Sequence, residues 1–294
     1  MITDEQGNIW IRQSWLDTFM RCPNRGRLET LHPEVGTSDS ALLGTGAHGG
    51  CETICNGGSI AEARDAITAA VMPEYELGVK WTHKSNEYPQ NLDHLIYQAN
   101  KCFDAWLEEI LPVCQKNGWM GLKAEQKFKE VLFTLPDGRT VGIQGTADLP
   151  TPKNLIIDWK TGKRPYKQWE KQRHAIQPSI YSWAATRGAF EADHYKWPMT
   201  FVYGVMIRPL TNLDGNYRTE LIPVQRTEAH ARWAMKQIQA ALTMAFTVGM
   251  DTEWPMVAEG NFLCSQKWCS NYDRCRGMVL SPSDDDKISL PTSP

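Results

Sequence analysis

The 294-residue sequence has no long hydrophobic run; its most apolar helical stretch, Ala240 to Met250, is short and polar on both sides. It falls well below the ~18 consecutive apolar residues that a membrane helix needs, so no membrane partner is expected. The opening MITDEQGN lacks the basic and apolar regions of an export signal. A cytoplasmic setting is therefore expected, with thiols kept reduced. A surplus of positive charge is missing too. Lys and Arg number 31 against 34 Asp and Glu, a net charge of −3, so any grip on nucleic acid must rest on a local basic surface. No phosphate-cradling P-loop occurs, so the chain would need a partner to unwind a duplex. Internal repeats are absent as well.

What is present is an ordinary globular composition, 41% hydrophobic and 22% charged, with 8 Cys and 12 Trp. At this length a full core needs no crosslinks. The cysteines stand at 22, 51, 55, 102, 114, 264, 269 and 275, and the last three are grouped. In a reducing compartment, grouped cysteines suit metal binding better than disulfides.

Residues 11–31 read as a helix with Ser14 as N-cap and a break at Cys22-Pro23. The glycine-bearing stretch after it reads as a loop entering a short helix at 47–55. Helical periodicity recurs over 60–72 and 90–116, where Leu95, Ala99, Cys102, Phe103 and Trp106 share a face. Strands are expected over 123–134, 139–148 and 154–159, with PDG at 136–138 as a hairpin turn. A helix over 168–187, strands near 199–208 and 217–225, and a helix from Thr227 to near Gly249 follow. The order is that of an α/β core with a helical insertion. Four regions are expected: a helical N-terminal region 1–122, a core 123–250, a loop-like cysteine segment 251–278 and a disordered acidic tail 279–294.

Two strand ends carry chemistry. One closes with Gly145-Thr146-Ala147-Asp148, and the other runs Ile156-Ile157-Asp158-Trp159-Lys160. Alternation puts Asp158 and Lys160 on one face with Trp159 on the other, and pairing of the strands would bring Asp148 beside Asp158. Carboxylates held close repel one another, and a hard divalent cation relieves the repulsion. A lysine two residues on can stabilise charge developing on a phosphate. A DxK tripeptide alone is more often a surface ion pair; GxxD followed by an apolar run and DxK is the specific signal. Upstream, His48 and Glu52 lie one helical turn apart, a candidate ligand and its partner or else a solvated histidine. Glu125 is a further candidate acid. From 160 to 173 there are six basic residues and one acidic, with Tyr166 and Trp169 interleaved. Lys163, Arg164, Tyr166 and Lys167 in this run are candidate DNA-binding residues, against the plainer reading of a solvated helix start.

Taken in order, GTGAHGGCE, GTAD, IIDWKTGK and QPSIY resemble the PD-(D/E)xK nuclease superfamily. Within it they resemble the RecB-like exonucleases, which include CRISPR-associated Cas-four proteins and many phage exonucleases. The resemblance implies a restriction-endonuclease-like α/β core, a central mixed sheet flanked by helices. It implies His48, Asp148, Asp158 and the Trp159 carbonyl as ligands of Mg²⁺ or Mn²⁺. Lys160 would act with Asp148 and Asp158 in catalysis, and Gln177 and Tyr181 on the substrate side. Asp158 stands where many relatives have Glu. The iron–sulfur branch further implies Cys22, Cys264, Cys269 and Cys275 as ligands of a [4Fe–4S] cluster, or of a structural Zn²⁺, clasping the chain ends. Relatives commonly place two residues between the first pair of C-terminal cysteines, and this chain has four.

Cys51 and Cys55 read as a rival metal site or as buried thiols, and Cys102 and Cys114 as core thiols. The expected activity is metal-dependent exonucleolytic hydrolysis of DNA, from single-stranded ends, in a prokaryotic or phage-infected cell. Recombination, repair, phage DNA metabolism or spacer acquisition would be the setting, with a helicase, recombination or CRISPR partner. Two alternatives stand beside it: a non-cleaving DNA-binding subunit of a larger complex, and a structure- or site-specific endonuclease.

Overall fold

The computed structural model describes residues 2–33, 36–83, 88–210, 213–257, 261–266 and 268–279. The acidic tail expected from 279 onward lies, from 280, outside the described residues. Strands β1 (Ile2–Thr3) and β2 (Ile9–Arg12) lead into helices α1 (Gln13–Arg21) and α2 (Pro23–Leu31). A helical stretch follows: β3 (Thr37–Ser38), α3 (Asp39–Cys55), α4 (Ile60–Glu76), β4 (Val79–Lys80) and α5 (Leu92–Ala105). A π-helical turn, Trp106–Ile110, joins α5 to α6 (Leu111–Lys116). Next come β5 (Gln126–Thr134), β6 (Thr140–Ala147), β7 (Leu149–Pro150) and β8 (Leu155–Gly162). Then α7 (Gln168–His174) and α8 (Gln177–Ala185) precede β9 (Met199–Ile207) and β10 (Arg218–Arg226). The long α9 (Glu228–Val248) and α10 (Tyr272–Val279) complete the described chain.

Instead of one central sheet, the strands among the described residues form two mixed four-stranded sheets, ordered β1-β2-β6-β5 and β10-β9-β8-β7, with β3-β4 a separate pair. Parallel pairings β2–β6 and β8–β9 sit among antiparallel neighbours. β6 and β7 are separated by a single residue, Asp148, so one extended run changes partners there. The antiparallel register Leu149↔Ile157 places Asp148 across from Asp158 when continued by one residue. β8 is apolar on both faces: Ile156 enters one core with Ile143, Ile180 and Phe201, while Ile157 and Trp159 enter a second with Trp106, Cys51 and Cys102. That two-sided burial explains why 154–159 reads as a continuous apolar run.

Several local expectations change in the structure. Ile9 to Arg12 pair with Val141 to Gln144, so the chain is still a strand where a helix was expected. α1 therefore starts at Gln13 after Arg12, leaving Ser14 inside the helix instead of capping it. The break at Cys22-Pro23 is present, with Pro23 in the first turn of α2. The loop expected before residue 47 is instead the first half of α3, capped by Ser38. Its glycines are tolerated because α4 and α5 press against them. A Cβ on Gly46 would lie 2.8 Å from Val71 Cγ2 and 3.1 Å from Ala99 Cβ, and one on Gly50 would lie 3.0 Å from Ile67 and Phe103. The single helix expected over 168–187 is two, α7 and α8, because Pro178 cannot continue a helix and suits a first turn. The segment expected to be loop-like through 278 includes α10. Among the described residues no helix is long and apolar enough to cross a membrane.

Candidate active site

The site forms where β6 gives way to β7. The Asp148 carboxylate leaves the β6 ladder and accepts the Trp159 backbone N–H of β8 at 2.6 Å. Its own carbonyl accepts the N–H of Glu125 at 2.9 Å. Glu125 immediately precedes β5 at φ +56°, a left-handed conformation that is costly for a residue with a side chain and is found most often at functional positions. From α3, which packs along β8, His48 Nδ1 comes within 3.4 Å of Asp148 Oδ2. His48, Glu125 and Asp148 each offer a ligand atom, all within 4.8 Å of one another.

Asp158 and Lys160, two residues apart on β8, share a face and form an ion pair. The second Asp158 oxygen accepts the Gln177 amide at 2.8 Å. Tyr181, one turn further along α8, donates its hydroxyl to the Thr146 carbonyl at 3.0 Å. Gln177 and Tyr181 thus act on the two strand ends together: one holds the carboxylate, the other the backbone before Asp148. Trp159 points the opposite way, edge-on to Trp106 at 5.5 Å. Its backbone lies close enough to the His48 ring to favour the protonated imidazole, against the larger effect of burial.

The electrostatics are those of an acidic cluster short of positive charge. Burial raises Glu125 to about 8, with Asp148, Glu52 and Asp158 adding and Lys160 opposing. Burial likewise raises Asp148 and Asp158 to about 6, against the pull of Lys160. Burial, and then the Lys160 charge, depresses His48 to about 4, leaving the neutral imidazole that metal binding requires. For Lys160 burial works downward, but Asp158 and Asp148 outweigh it and the ammonium is held charged. Such carboxylates, a neutral histidine and a fixed cation form a donor set for a hard divalent ion.

The structure brings His48, Asp148, Asp158, Trp159, Lys160, Gln177 and Tyr181 into one neighbourhood. Glu125, the further candidate acid, joins them beside His48 and Asp148, and Glu52, the candidate partner of His48, lies within electrostatic reach of Asp148. The basic run leaves β8 directly: Arg164 and Lys167 are exposed, and Lys163 Nζ lies 5.9 Å from the Tyr88 ring centre. Tyr166 is half-buried, edge-on to Tyr203 at 5.6 Å.

The four cysteines implied as a clasp also come together. Cys22, Cys264, Cys269 and Cys275 line one cavity of about 400 Å³ with Arg21, Arg25 and Met256. Each of the three C-terminal thiols feels the charge of Cys22. The chain ends are joined by backbone and side-chain bonds, Asn24 N to the Pro255 carbonyl at 3.1 Å and Arg27 Nε to the Met250 carbonyl at 2.6 Å. Cys51, Cys55, Cys102 and Cys114 are buried, and burial raises all four thiols, Cys102 and Cys114 to about 12. They are core thiols.

A mixed α/β fold that gathers two aspartates, a glutamate, a histidine and a lysine at one strand crossing defines a class of phosphodiester-handling proteins. The model of the PD-(D/E)XK nuclease superfamily matches residues 13–276, and the chain belongs to that superfamily. No curated protein matches the sequence. Among solved structures, a candidate exonuclease from Eubacterium rectale is similar at TM-score 0.53 and 13% identity, over 96% of this chain and 91% of that one. A protein named SSO0001 aligns at TM-score 0.31 and 16% identity over 92% and 95% of the two chains. The first of these likenesses is one of fold.

Proposed function

We propose that the chain is a divalent-metal-dependent deoxyribonuclease that degrades DNA from single-stranded ends. The observation that carries the reading is the convergence of His48, Glu125 and Asp148 within 4.8 Å, beside the Asp158–Lys160 pair. Its raised carboxyl groups are those of a site that a cation would relieve. His48, Glu125 and Asp148, with Asp158 and the Trp159 carbonyl, would hold Mg²⁺ or Mn²⁺. When bound, the ion supplies Lewis-acid stabilisation of the phosphate and lowers the pKa of the attacking water.

The protein's own groups do the rest. Lys160, held charged by Asp158 and Asp148, faces the phosphate as charge builds on it. Gln177 orients Asp158, and Tyr181 fixes the end of β6 so that Asp148 stays against Trp159 N–H. Lys163, Arg164, Tyr166 and Lys167 bind the strand beyond the site.

Cys22, Cys264, Cys269 and Cys275 would hold a [4Fe–4S] cluster that closes the chain ends. A structural Zn²⁺ on the same four thiols is the other reading, and metal analysis distinguishes the two.

The test is digestion of end-labelled single strands and of closed circles, with and without Mg²⁺ or Mn²⁺, after anaerobic purification with iron, sulfide and zinc analysis. Mono- or short oligonucleotides released from ends, lost in Asp158→Ala and Lys160→Ala, are the expected result. Cleavage of circles would make the chain an endonuclease, and binding without cleavage a DNA-holding subunit.

A further inference from the structure

Lys171 lies on α7, within the basic run that follows β8 but apart from the residues of the metal site. Its ammonium sits 3.8 Å from the ring centre of Tyr166 and 5.2 Å from that of Tyr203. Among the described residues it makes no ion pair; Glu170 and Asp17 act on it from further away, and Asp17 is itself paired with Arg21 at 3.0 Å. It is half-buried, and it feels two further cations, Lys160 of β8 and Arg21 of α1. A desolvated ammonium with aromatic faces for partners and like charges for neighbours lacks a counter-ion.

The position of this lysine is built, not accidental. α7 is pinned to the edge of β10 as if it were a further strand: Gln172 exchanges two bonds of 3.0 Å with the Gln225 backbone, and Gln168 donates to the Pro223 carbonyl at 3.2 Å. Beneath, the buried Arg226 guanidinium donates to the Lys171 carbonyl at 3.1 Å, the Ala175 carbonyl at 2.9 Å and Ser179 Oγ at 2.9 Å. This network holds both the ammonium and the start of α8, which carries Gln177, in one rigid frame.

We propose that Lys171 is a phosphate-binding residue: the substrate strand leaves the Asp158–Lys160 pair, crosses Tyr166, is held by the Lys171 ammonium and runs on toward Arg21 of α1. The inference rests on the nuclease reading and adds to it the route of the strand. A polyanion passing along Lys160, Lys171 and Arg21 supplies the counter-ion that Lys171 lacks, whereas Lys160 is paired with Asp158 and Arg21 with Asp17, and the Tyr166 ring offers a face for a base. The same route ends at the rim of the cysteine cavity, which Arg21 and Arg25 line.

The test is binding of a 5′-labelled oligodeoxythymidylate to the full chain in EDTA, by fluorescence anisotropy across a salt series. It compares wild type, Lys171→Met and Lys171→Arg. Lys171→Met should bind several-fold more weakly at low salt, with the slope of log K against log[salt] smaller by ~0.7, the value of one single-strand phosphate contact. Lys171→Arg should restore the slope, and the melting temperature of Lys171→Met should stay level or rise because a desolvated charge has gone. With Mn²⁺ present, the loss should appear chiefly in KM. Wild-type affinity and slope in Lys171→Met would overturn the proposal, as would a lowered melting temperature with no rescue by arginine. A wild type that binds with a Lys171-dependent slope yet never cleaves would overturn the nuclease reading and leave the route standing.

Discussion

The Asp148 carboxylate accepts the backbone N–H of Trp159 at 2.6 Å, so a side chain, not a ladder bond, ties the end of β6 to β8. One oxygen therefore does structural work while the same carboxylate faces His48 and Glu125. Asp148→Asn separates the two roles, because the amide oxygen can still accept from Trp159. Metal-dependent cleavage should fall by at least the ~10²-fold that loss of a ligand's outer partner already costs. In EDTA the variant should melt at or above wild type, since a buried carboxyl with a raised pKa has gone. A melting temperature several degrees lower would show the charge itself to be needed for folding.

The raised carboxyl groups fix the pH response. Glu125 at about 8 and Asp148 and Asp158 at about 6 hold their protons to higher pH in the folded than in the unfolded chain. These three groups thus bind more protons in the native state from about pH 4 to pH 8, and their contribution to metal-free stability declines as pH rises through that window. The decline is offset in its lower part by His48 and His94, whose depressed pKa values make stability rise up to about pH 6.5. A divalent ion requires the ionised groups, so the thermal shift from saturating Mn²⁺ should be larger at pH 8 than at pH 6. Equal shifts at the two pH values would remove Glu125 from the ligand set.

Two neighbouring glycines of α3 should respond in opposite directions. Gly46→Ala drives a methyl to within 2.8 Å of Val71, an overpacking that costs ~1–3 kcal/mol and exceeds the gain in helix propensity. At Gly49 the nearest atom to a new methyl is the Ala66 carbonyl oxygen at 3.4 Å, ordinary contact. Gly49→Ala should therefore be neutral or stabilising by up to ~1 kcal/mol. Urea melts of the two variants check the contrast.

At the cysteine cavity, Asn24 is buried and its carboxamide meets three groups: Cys275 Sγ at 3.4 Å, Trp254 N at 3.4 Å and Arg27 Nη1 at 3.3 Å. Asn24→Ala leaves these without their partner, a loss of ~1–3 kcal/mol. Denaturant melts should show that loss, and anaerobically purified variant should retain less iron than wild type. Cys51→Ala, inside the second core, should keep wild-type iron content.

Local pattern made much of the scaffold legible. The hairpin of β5 and β6 follows from alternation around PDG, where Gly138 takes φ +89°, and α9 follows from its Thr227 cap and terminal Gly249. The spacing of Asp158 and Lys160 on one strand was enough to place them on one face, because side chains alternate with a period of two. The mates of those residues were harder. Glu125 carries no pattern of its own: it precedes an ordinary strand, and its role arises from a positive φ and the Asp148 carbonyl. α3 was read as a loop because its glycines lack propensity, whereas helix packing selects them.

By itself, then, the sequence determined strands β5, β6, β8, β9 and β10, helices such as α5 and α9, and the identity of the acidic and basic residues in their order, since these depend on near neighbours and periodicity. Tertiary structure alone decided that the expected single sheet parts in two at Asp148, that Glu125 rather than Asp158 completes a close triad with His48 and Asp148, and that Lys171 faces Tyr166 and Tyr203. It also decided that thiols some 250 positions apart in the chain share one cavity. The reason is physical: burial, repulsion between like charges and the close approach of backbones depend on distances in space, and those are set only when distant segments pack.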